Sequence, residues 1–205
     1  MNTLEGIEGF SHKKDVKLSS TGKILIGVTG GVAVALSIIS IPFISPALRK
    51  ICLPYVPATT SQIENILIAL RGRQGKLIDL GSGDGRIVLE AAKNNFISHG
   101  VELNAWLVIY SKIDAFRKGY TNNTKFFRND LWKFDLSPYE NVVIFGVEQM
   151  MSDLERKIND ECTDGSNVIA CRFPLPNIVP TKTIGSGIDT VWVYEIHRKE
   201  KPHTS

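Results

Sequence analysis

The chain has 205 residues, of which 43% are hydrophobic and 22% are charged, a composition typical of a globular protein with one sizeable core. Its formal net charge is +3, and no dense basic stripe with interleaved aromatic residues occurs, which argues against a nucleic-acid partner. The three cysteines form no C-x-x-C pair and the four histidines lack metal-ligand spacing, so we expect neither a disulfide framework nor a metal site.

The N-terminal part of the chain combines a polar tail with a long apolar run. Residues 1–23 mix acidic and basic side chains and are predicted to form a flexible tail, whereas residues 24–44 contain no charge. A helix over that run spans roughly 30 Å, the thickness of one bilayer core, and is predicted to cross a membrane. Two alternatives are a secretory signal peptide, disfavoured by the long polar leader, and a buried helix of a soluble protein.

Residues 45–75 are predicted to form a connector followed by a helix that closes one end of the next domain. Ser61-x-x-Glu64 has the spacing of a capping box, and Gly72 stands where a helix C-terminus is expected. The helix carries one apolar stripe, formed by Ile63, Ile66, Leu67 and Leu70.

Strands and helices alternate over residues 76–197, which are predicted to form one α/β domain. Predicted strands cover residues 76–80, 98–103, 124–128, 141–146, 167–173 and 190–197, and predicted helices cover residues 86–94, 105–119 and 149–161. This alternation predicts a Rossmann-like α/β sheet with helices on both faces, whose parallel strands end at one ligand-binding edge. The last strand follows a Pro-rich and Gly-rich segment without a clear helix, which leaves it free to pair antiparallel. Residues 198–205 are predicted to be a solvated basic tail.

The segment DLGSGDG has the pattern of a ligand-binding glycine loop between a strand and a helix. Its spacing is G-x-G-x-G, whereas a dinucleotide fingerprint would place the third glycine at Arg86. Asp79 and Asp84 flank the loop, and two carboxylates there would repel a pyrophosphate and attract a cation. The loop residues assigned to cofactor binding are Asp79, Gly81, Ser82, Gly83, Asp84 and Gly85.

S-adenosyl-L-methionine carries an adenosine and positive charge but no phosphate, so it fits this loop. Glu102, at the end of the second predicted strand, has the position at which Rossmann-like folds bind the ribose hydroxyls. Asp130, after the third predicted strand, is predicted to meet the edge of the adenine ring, with Leu131 or Trp132 against its face. Acidic residues at the ends of three successive predicted strands together favour this cofactor.

Several segments resemble one family, which comprises the ATP synthase c-subunit lysine N-methyltransferase and its relative that methylates the adenine nucleotide translocase. The likeness extends over residues 42–194 and is carried by PALRKICLPYVPATTSQIEN, DLGSGDGRIV, ELN, DLWK, VVIFGV, QMM, VIACRFP and DTVW. It implies a seven-stranded methyltransferase domain behind one transmembrane helix, in the mitochondrial inner membrane, that modifies a lysine of an inner-membrane protein. The segment PALRKICLPYVPATT is nearer the c-subunit enzyme, which makes the ATP synthase c subunit the favoured partner.

The resemblance also assigns residues and shows two departures. The family's cofactor loop falls on residues 79–85, its ribose acid on Glu102 and its next acid on Asp130, and residues 55–59 correspond to a segment at the substrate entry. Glu148 stands where the family pattern has proline, and Ile178 stands where an aromatic residue often occurs. Both departures concern substrate preference and leave the cofactor residues untouched.

Methyl transfer to lysine needs a neutral amine held about 3 Å from an activated methyl group, and it needs no strong base. The surroundings predicted for this amine are the backbone carbonyls of Phe145, Gly146 and Val147, together with Tyr55 and Trp132. A desolvating channel of this kind lowers the pKa of the lysine. Two functions of other classes remain open from sequence: a nicotinamide oxidoreductase and a catalytically silent membrane scaffold.

Overall fold

A computed structural model describes residues 19–44 and 56–197 of the chain. Contacts divide the chain into two units, residues 1–41 and residues 42–205. Three sequence-based predictions fall wholly or mainly outside the described residues: the polar tail, the basic tail, and the role of Tyr55 at the substrate entry.

The first described element is helix α1, Ser20–Ile44, which starts four residues before the predicted span. Within the described residues it is the one helix long and apolar enough to cross a membrane. Up to Ser40, its large apolar side chains are exposed around the whole circumference of the helix. The hydroxyls of Thr29, Ser37 and Ser40 donate hydrogen bonds to carbonyl oxygens four residues earlier, at 2.8, 2.9 and 2.8 Å. These polar groups are therefore satisfied within the helix itself.

The second unit is built on a seven-stranded sheet. Its strands are β1 (Lys76–Leu80), β2 (Ile97–Glu102), β3 (Thr124–Arg128), β4 (Asn141–Phe145), β5 (Asn167–Cys171), β6 (Lys182–Ile184) and β7 (Val191–Glu195). The spatial order is β3-β2-β1-β4-β5-β7-β6. Strands β1 to β5 are parallel, and β7 runs antiparallel to both β5 and β6. The predicted α/β fold is confirmed, including the antiparallel last strand.

Strand β6 is missing from the sequence-based prediction. It has only three residues, none of them fully buried, and it forms the edge of the sheet inside the segment rich in proline and glycine. Such a strand exists because β7 offers it an unpaired edge, so local sequence gives little indication of it.

Four helices surround the sheet: α2 (Thr60–Ala69), α3 (Arg86–Lys93), α4 (Ala105–Lys118) and α5 (Met151–Glu161). Short 3₁₀ turns cover Leu131–Lys133, Glu148–Met150 and Gly187–Asp189. Helices α2, α3 and α4 pack on one face of the sheet, whereas α5 and the chain between β3 and β4 pack on the other. Both faces of β1 are therefore covered, as its continuous burial from Leu77 to Leu80 requires.

The N-terminus of α2 differs from its prediction. The helix begins at Thr60, and Thr59 is its cap, because the Thr59 hydroxyl accepts a hydrogen bond from the Gln62 N–H at 3.1 Å. The expected capping box at Ser61 and Glu64 is wrong, since Ser61 already lies inside the helix. Thr59 and Gln62 have the same spacing two positions earlier, but only the cap bond of the motif is formed, because the Gln62 side chain bonds to Ile188.

Helix α2 is attached to the 3₁₀ turn that precedes β7. The Gln62 side chain donates to the Ile188 carbonyl at 3.2 Å, and the Asn65 side chain donates to the Asp189 carbonyl at 2.9 Å. The Thr59 hydroxyl donates to the Asp189 carboxylate. These bonds connect segments more than 120 residues apart and hold the entry to the domain against the antiparallel side of the sheet.

Candidate functional site

Three acidic residues lie at the carboxyl edge of the parallel strands. Asp79 is the second-last residue of β1, Glu102 is the last residue of β2, and Asp130 follows β3 by two positions. Because β3, β2 and β1 are neighbours in the sheet, the fold brings these residues to one edge. This is the edge at which open α/β sheets bind their ligands.

The glycine loop after β1 is fixed to the neighbouring strand. The N–H groups of Gly81 and Ser82 both donate to the Val101 carbonyl in β2, at 2.9 and 3.0 Å. Gly81, Gly83 and Gly85 have φ values of 81°, 53° and 80°, in the left-handed region that favours glycine. The G-x-G-x-G spacing therefore reflects three left-handed turns that lead into α3.

The loop also packs closely against the strands beneath it. A Cβ at Gly100, in β2, would lie 2.6 Å from the Ser82 hydroxyl oxygen. A Cβ at Gly85 would lie 2.8 Å from both the Ser111 hydroxyl oxygen and a ring carbon of Phe126. Gly100 was not among the predicted site residues, because only the packing of loop against strand shows why it must lack a side chain.

Glu102 connects the glycine loop to the start of α4. One carboxylate oxygen accepts from the Gly83 N–H at 3.1 Å, and the other accepts from the Asn104 N–H at 2.7 Å. Asn104 in turn caps α4 by accepting from the Trp106 N–H at 2.9 Å. Each carboxylate oxygen has a second lone pair, so Glu102 keeps the capacity to accept from two further donors. Asn104 is a second site residue that sequence reasoning missed, although ELN was noted as a motif.

Asp79 is the most strongly perturbed carboxyl group of this edge. Its side chain is 1% exposed, and no described residue donates a hydrogen bond to either carboxylate oxygen. Burial raises the pKa of Asp79 to about 8, and the negative charges of Glu102 and Asp84 contribute further. A buried carboxylate without a partner is costly and is typical of a ligand site. It suits the ammonium group of S-adenosyl-L-methionine, which brings both charge and N–H donors.

Asp84 has a different environment from Asp79. The Arg86 Nε donates to both Asp84 carboxylate oxygens at 3.0 Å, and another Arg86 nitrogen donates to the Ala58 carbonyl at 2.9 Å. The Asp84 charge therefore has a partner in Arg86, which the sequence analysis did not assign. Arg86 also joins the loop to the segment that precedes α2.

The third acid lies at the start of a short turn. Asp130 is half-buried and accepts a hydrogen bond from the Trp132 N–H at 3.2 Å. Leu131 and Trp132 are half-buried and pack against the main core cluster. Two partly accessible apolar side chains thus stand beside Asp130 at the outer side of the carboxyl edge.

The predicted surroundings of the substrate amine lie at the end of β4. Phe145 is the last residue of β4, and its ring faces the Arg172 guanidinium at 5.3 Å. Gly146 is buried, and a Cβ there would lie 2.8 Å from the Met151 sulfur. The Val147 carbonyl accepts from the Met150 N–H at 3.0 Å, which leaves it one lone pair for another donor.

The two departures from the family pattern have different environments. Glu148 is exposed at the start of the 3₁₀ turn after Val147. Ile178, in the segment after β5, is half-buried and packs against the main core cluster. An exposed charge after β4 and an apolar contact after β5 thus replace the expected residues.

Comparison with known proteins identifies the family. Residues 79–182 match the family model of the ANTKMT methyltransferase domain, and residues 18–49 match that of the N-terminal domain of the ATP synthase c-subunit lysine N-methyltransferase. The ATP synthase c-subunit lysine N-methyltransferase of Xenopus laevis is 54% identical over 95% of this chain and 86% of its own length. The chain belongs to this lysine N-methyltransferase family. This lysine N-methyltransferase is therefore an enzyme that uses S-adenosyl-L-methionine, as predicted.

Two more distant proteins also match this chain. The adenine nucleotide translocase lysine N-methyltransferase of Mus musculus is 39% identical over 84% of this chain and 78% of its own length. An RNA methyltransferase from Salinibacter ruber, solved in complex with S-adenosyl-L-homocysteine, is 25% identical with a TM-score of 0.67, and the match covers 73% of this chain and 99% of that chain. Family membership decides against a nicotinamide oxidoreductase and against a catalytically silent scaffold.

Proposed function

We propose that this enzyme methylates a lysine side chain of the mitochondrial ATP synthase c subunit and that α1 anchors it in the inner membrane. The observation that carries the choice of substrate is the match of residues 18–49 to the N-terminal domain of the c-subunit enzyme. The relative named for the c subunit is also 54% identical to this chain, against 39% for the relative named for the translocase.

The protein groups proposed to hold the cofactor are carboxylates that pair with its ammonium group and its hydroxyl groups. The buried Asp79 carboxylate would pair with the methionyl ammonium, and the free lone pairs of Glu102 would accept from the ribose hydroxyls. Asp130 would meet the adenine edge, with Leu131 or Trp132, both half-buried, against the ring. The left-handed glycines let the loop backbone approach the cofactor closely. Gly81, Ser82, Gly83, Asp84 and Gly85 complete the loop assignment.

When bound, S-adenosyl-L-methionine supplies a methyl group already activated by its sulfonium, so the protein need only present the amine. The carbonyls of Phe145, Gly146 and Val147 accept the amine's N–H groups and align its lone pair. A desolvating channel beside Phe145 disfavours the charged ammonium, which lowers the lysine pKa and lets the proton leave to solvent before transfer. Tyr55 remains a prediction for the entry to this channel.

Membrane anchoring by α1 is supported by the distribution of its side chains. A helix that is apolar on all sides needs an apolar environment on all sides, which lipid supplies. The hydroxyls of Thr29, Ser37 and Ser40 satisfy their hydrogen bonds within the helix, as a bilayer interior requires.

The substrate is tested in cells that lack the gene, by quantitative mass spectrometry of lysine methylation on the c subunit. Re-expression of the full chain should restore the modified c-subunit peptide, whereas the Glu102→Gln variant should not. The Glu64→Gln variant, altered on the exposed surface of α2, is the matched control and should restore it. Unchanged c-subunit methylation in the deletion cells would refute the proposed substrate.

The adenine nucleotide translocase is the second candidate substrate, because residues 79–182 match the ANTKMT methyltransferase domain. The same peptide measurement distinguishes the two, since each protein yields its own lysine-containing peptides. Loss of methylation on the translocase with no change on the c subunit would make the translocase the substrate. In that case Glu148 and Ile178, the two departures from the family pattern, would be the first residues to replace by those of the pattern.

Anchoring is tested separately from the choice of substrate. Replacement of residues 24–44 by an unrelated apolar span of equal length should preserve membrane retention and c-subunit methylation, because the anchor needs only its length and hydrophobicity. Replacement by a polar linker of equal length should release the protein on carbonate extraction. Membrane retention with the polar linker would show that α1 is not the anchor.

A further inference from the structure

Helix α4 carries an outward apolar stripe that the catalytic site does not use. Its buried side is formed by Val108, Ser111 and Ala115, which face the sheet and α3. On the opposite side, Phe116 is 75% exposed and Tyr110 is 55% exposed. The stripe consists of Trp106, Ile109, Tyr110, Ile113 and Phe116, spaced three or four positions apart. Five large apolar side chains aligned on one exposed helix face indicate an interaction surface.

Basic side chains border this stripe. Lys112 and Lys118 flank it on either side, and Arg117 lies at its C-terminal end. Asp114 is the one acidic residue of the helix, and it is paired with Lys118 at 2.8 Å. Aromatic and isoleucine side chains edged by lysine and arginine are typical of helices that lie in a membrane interface with their basic heads among anionic headgroups.

The chain also limits how far this helix can be from a membrane. Helices α2, α3 and α4 cover the same face of the sheet, and the chain enters that face at α2. Only residues 45–59 separate α1 from α2, and fifteen residues span at most about 50 Å when fully extended. A domain on a tether of this length meets the bilayer at a raised effective concentration, so even weak contacts can be occupied.

We propose that the outward stripe of α4 docks on the surface of the bilayer that holds α1, with its apolar side chains at the boundary between headgroups and acyl chains. This inference rests on the membrane anchoring proposed above. A second copy of the chain fits the stripe less well, because symmetric pairing would bring the basic borders of two helices together. Anionic lipid instead complements them.

Docking in this way has a consequence for the active site. Asn104, which caps α4, is hydrogen-bonded to Glu102 at the carboxyl edge of the sheet. A stripe that starts at Trp106 therefore holds the cofactor edge next to the membrane surface. A lysine presented by a membrane protein then reaches the site without withdrawal from the bilayer surface.

The test uses the full chain reconstituted in vesicles of phosphatidylcholine and phosphatidylglycerol, with a nitrobenzoxadiazole probe on one introduced cysteine at a time. The positions are Phe116→Cys in the stripe, Val34→Cys in α1, and Val179→Cys as an exposed apolar control away from α4. Cys52→Ser removes one native thiol, and Cys162 and Cys171 are buried. Quenching of each probe by lipids with a nitroxide near the headgroup or deep in the chain reports its depth.

Docking predicts that shallow-nitroxide lipid quenches the Phe116 probe at least about threefold more than the Val179 probe. It also predicts that Lys112→Glu with Arg117→Glu reduces this quenching, whereas Lys76→Glu with Lys182→Glu does not. Equal quenching at positions 116 and 179, together with deep quenching at position 34, would overturn docking and leave the anchor intact. Absence of quenching at all three positions would overturn both.

Two further outcomes assign the stripe to another occupant and overturn docking on lipid. One outcome is a blue-shifted emission of the probe at position 116 that lipid nitroxides do not quench. If this emission shift increases with the density of protein in the vesicle, a second copy of the chain covers the stripe. An emission shift that appears only when the vesicles also contain the ATP synthase c subunit would identify that substrate as the occupant of the stripe. Thermal unfolding of each labelled chain confirms that the exposed substitutions leave the domain folded.

Discussion

Glu102 at the end of β2 accepts a hydrogen bond from the backbone N–H of Gly83, nineteen positions earlier, at 3.1 Å. The proposed ribose acid therefore also closes the glycine loop, and through Asn104 it holds the start of α4. Three parts of the cofactor site depend on one side chain, so its removal affects both loop geometry and ligand affinity.

Glu102→Gln should weaken binding of S-adenosyl-L-homocysteine by about 10- to 100-fold, because charged hydrogen bonds contribute about 1.5–3 kcal/mol. The amide nitrogen of glutamine would also face either the Gly83 or the Asn104 N–H, donor against donor. Isothermal titration of the full chain in detergent measures the affinity. Glu64→Gln should bind as the unaltered chain does, and equal affinity for both variants would contradict the assignment.

Asp79→Asn should stabilise the cofactor-free protein in a pH-dependent manner. The ordinary pKa of the carboxyl is 3.8, and in the folded protein it is about 8. Between these values the folded state binds more protons than the unfolded state, so the free energy of unfolding falls as pH rises from about 4 to about 8. Asparagine removes that slope. The gain in melting temperature of Asp79→Asn over the unaltered chain should therefore increase from pH 5 to pH 8, and a gain independent of pH would contradict the raised pKa.

The same substitution should weaken the cofactor complex. Pairing with an ammonium requires ionised Asp79, so the affinity of the unaltered chain should increase as pH rises towards about 8, with release of a proton on binding. Asp79→Asn should bind more weakly and without this dependence. Titration in two buffers of different ionisation enthalpy measures the released proton, and no difference between the buffers would count against a protonated Asp79.

Gly100→Ala should displace the glycine loop, because the new Cβ would lie 2.6 Å from the Ser82 oxygen and 2.8 Å from the Ser82 Cβ. Overpacking of this kind costs about 1–3 kcal/mol and should reduce cofactor affinity together with stability. The double variant Gly100→Ala with Ser82→Gly removes both clashing atoms. It should recover most of the stability in thermal unfolding, whereas a failure to recover would locate the strain elsewhere.

Arg86→Lys should loosen the connection between the glycine loop and the entry segment. Lysine retains the charge but cannot reach both Asp84 oxygens and the Ala58 carbonyl together. Because the Arg86 side chain is 40% exposed, solvent screening limits the loss to about 1 kcal/mol. Thermal unfolding measures it against Arg71→Lys, an exposed control, and equal stability of the two variants would show that the Arg86 contacts contribute little.

Much of the catalytic domain could be predicted from local patterns. Buried parallel strands appear as short apolar runs, and G-x-G-x-G marks left-handed turns, because these features depend on neighbouring residues and on backbone sterics. Acidic residues at or just after the carboxyl ends of β1, β2 and β3 could likewise be placed at one edge, since parallel strands linked through helices share their carboxyl side.

Only the tertiary structure decided which side chains meet and how deeply each of them is buried. The burial of Asp79 without a partner, the pairing of Asp84 with Arg86 and the capping of α2 at Thr59 follow from how side chains meet in space. Strand β6 exists because β7 presents an open edge. Sequence alone determined which chemical groups reach the carboxyl edge, and packing determined their charge state and partners, because desolvation and hydrogen bonding act through three-dimensional proximity.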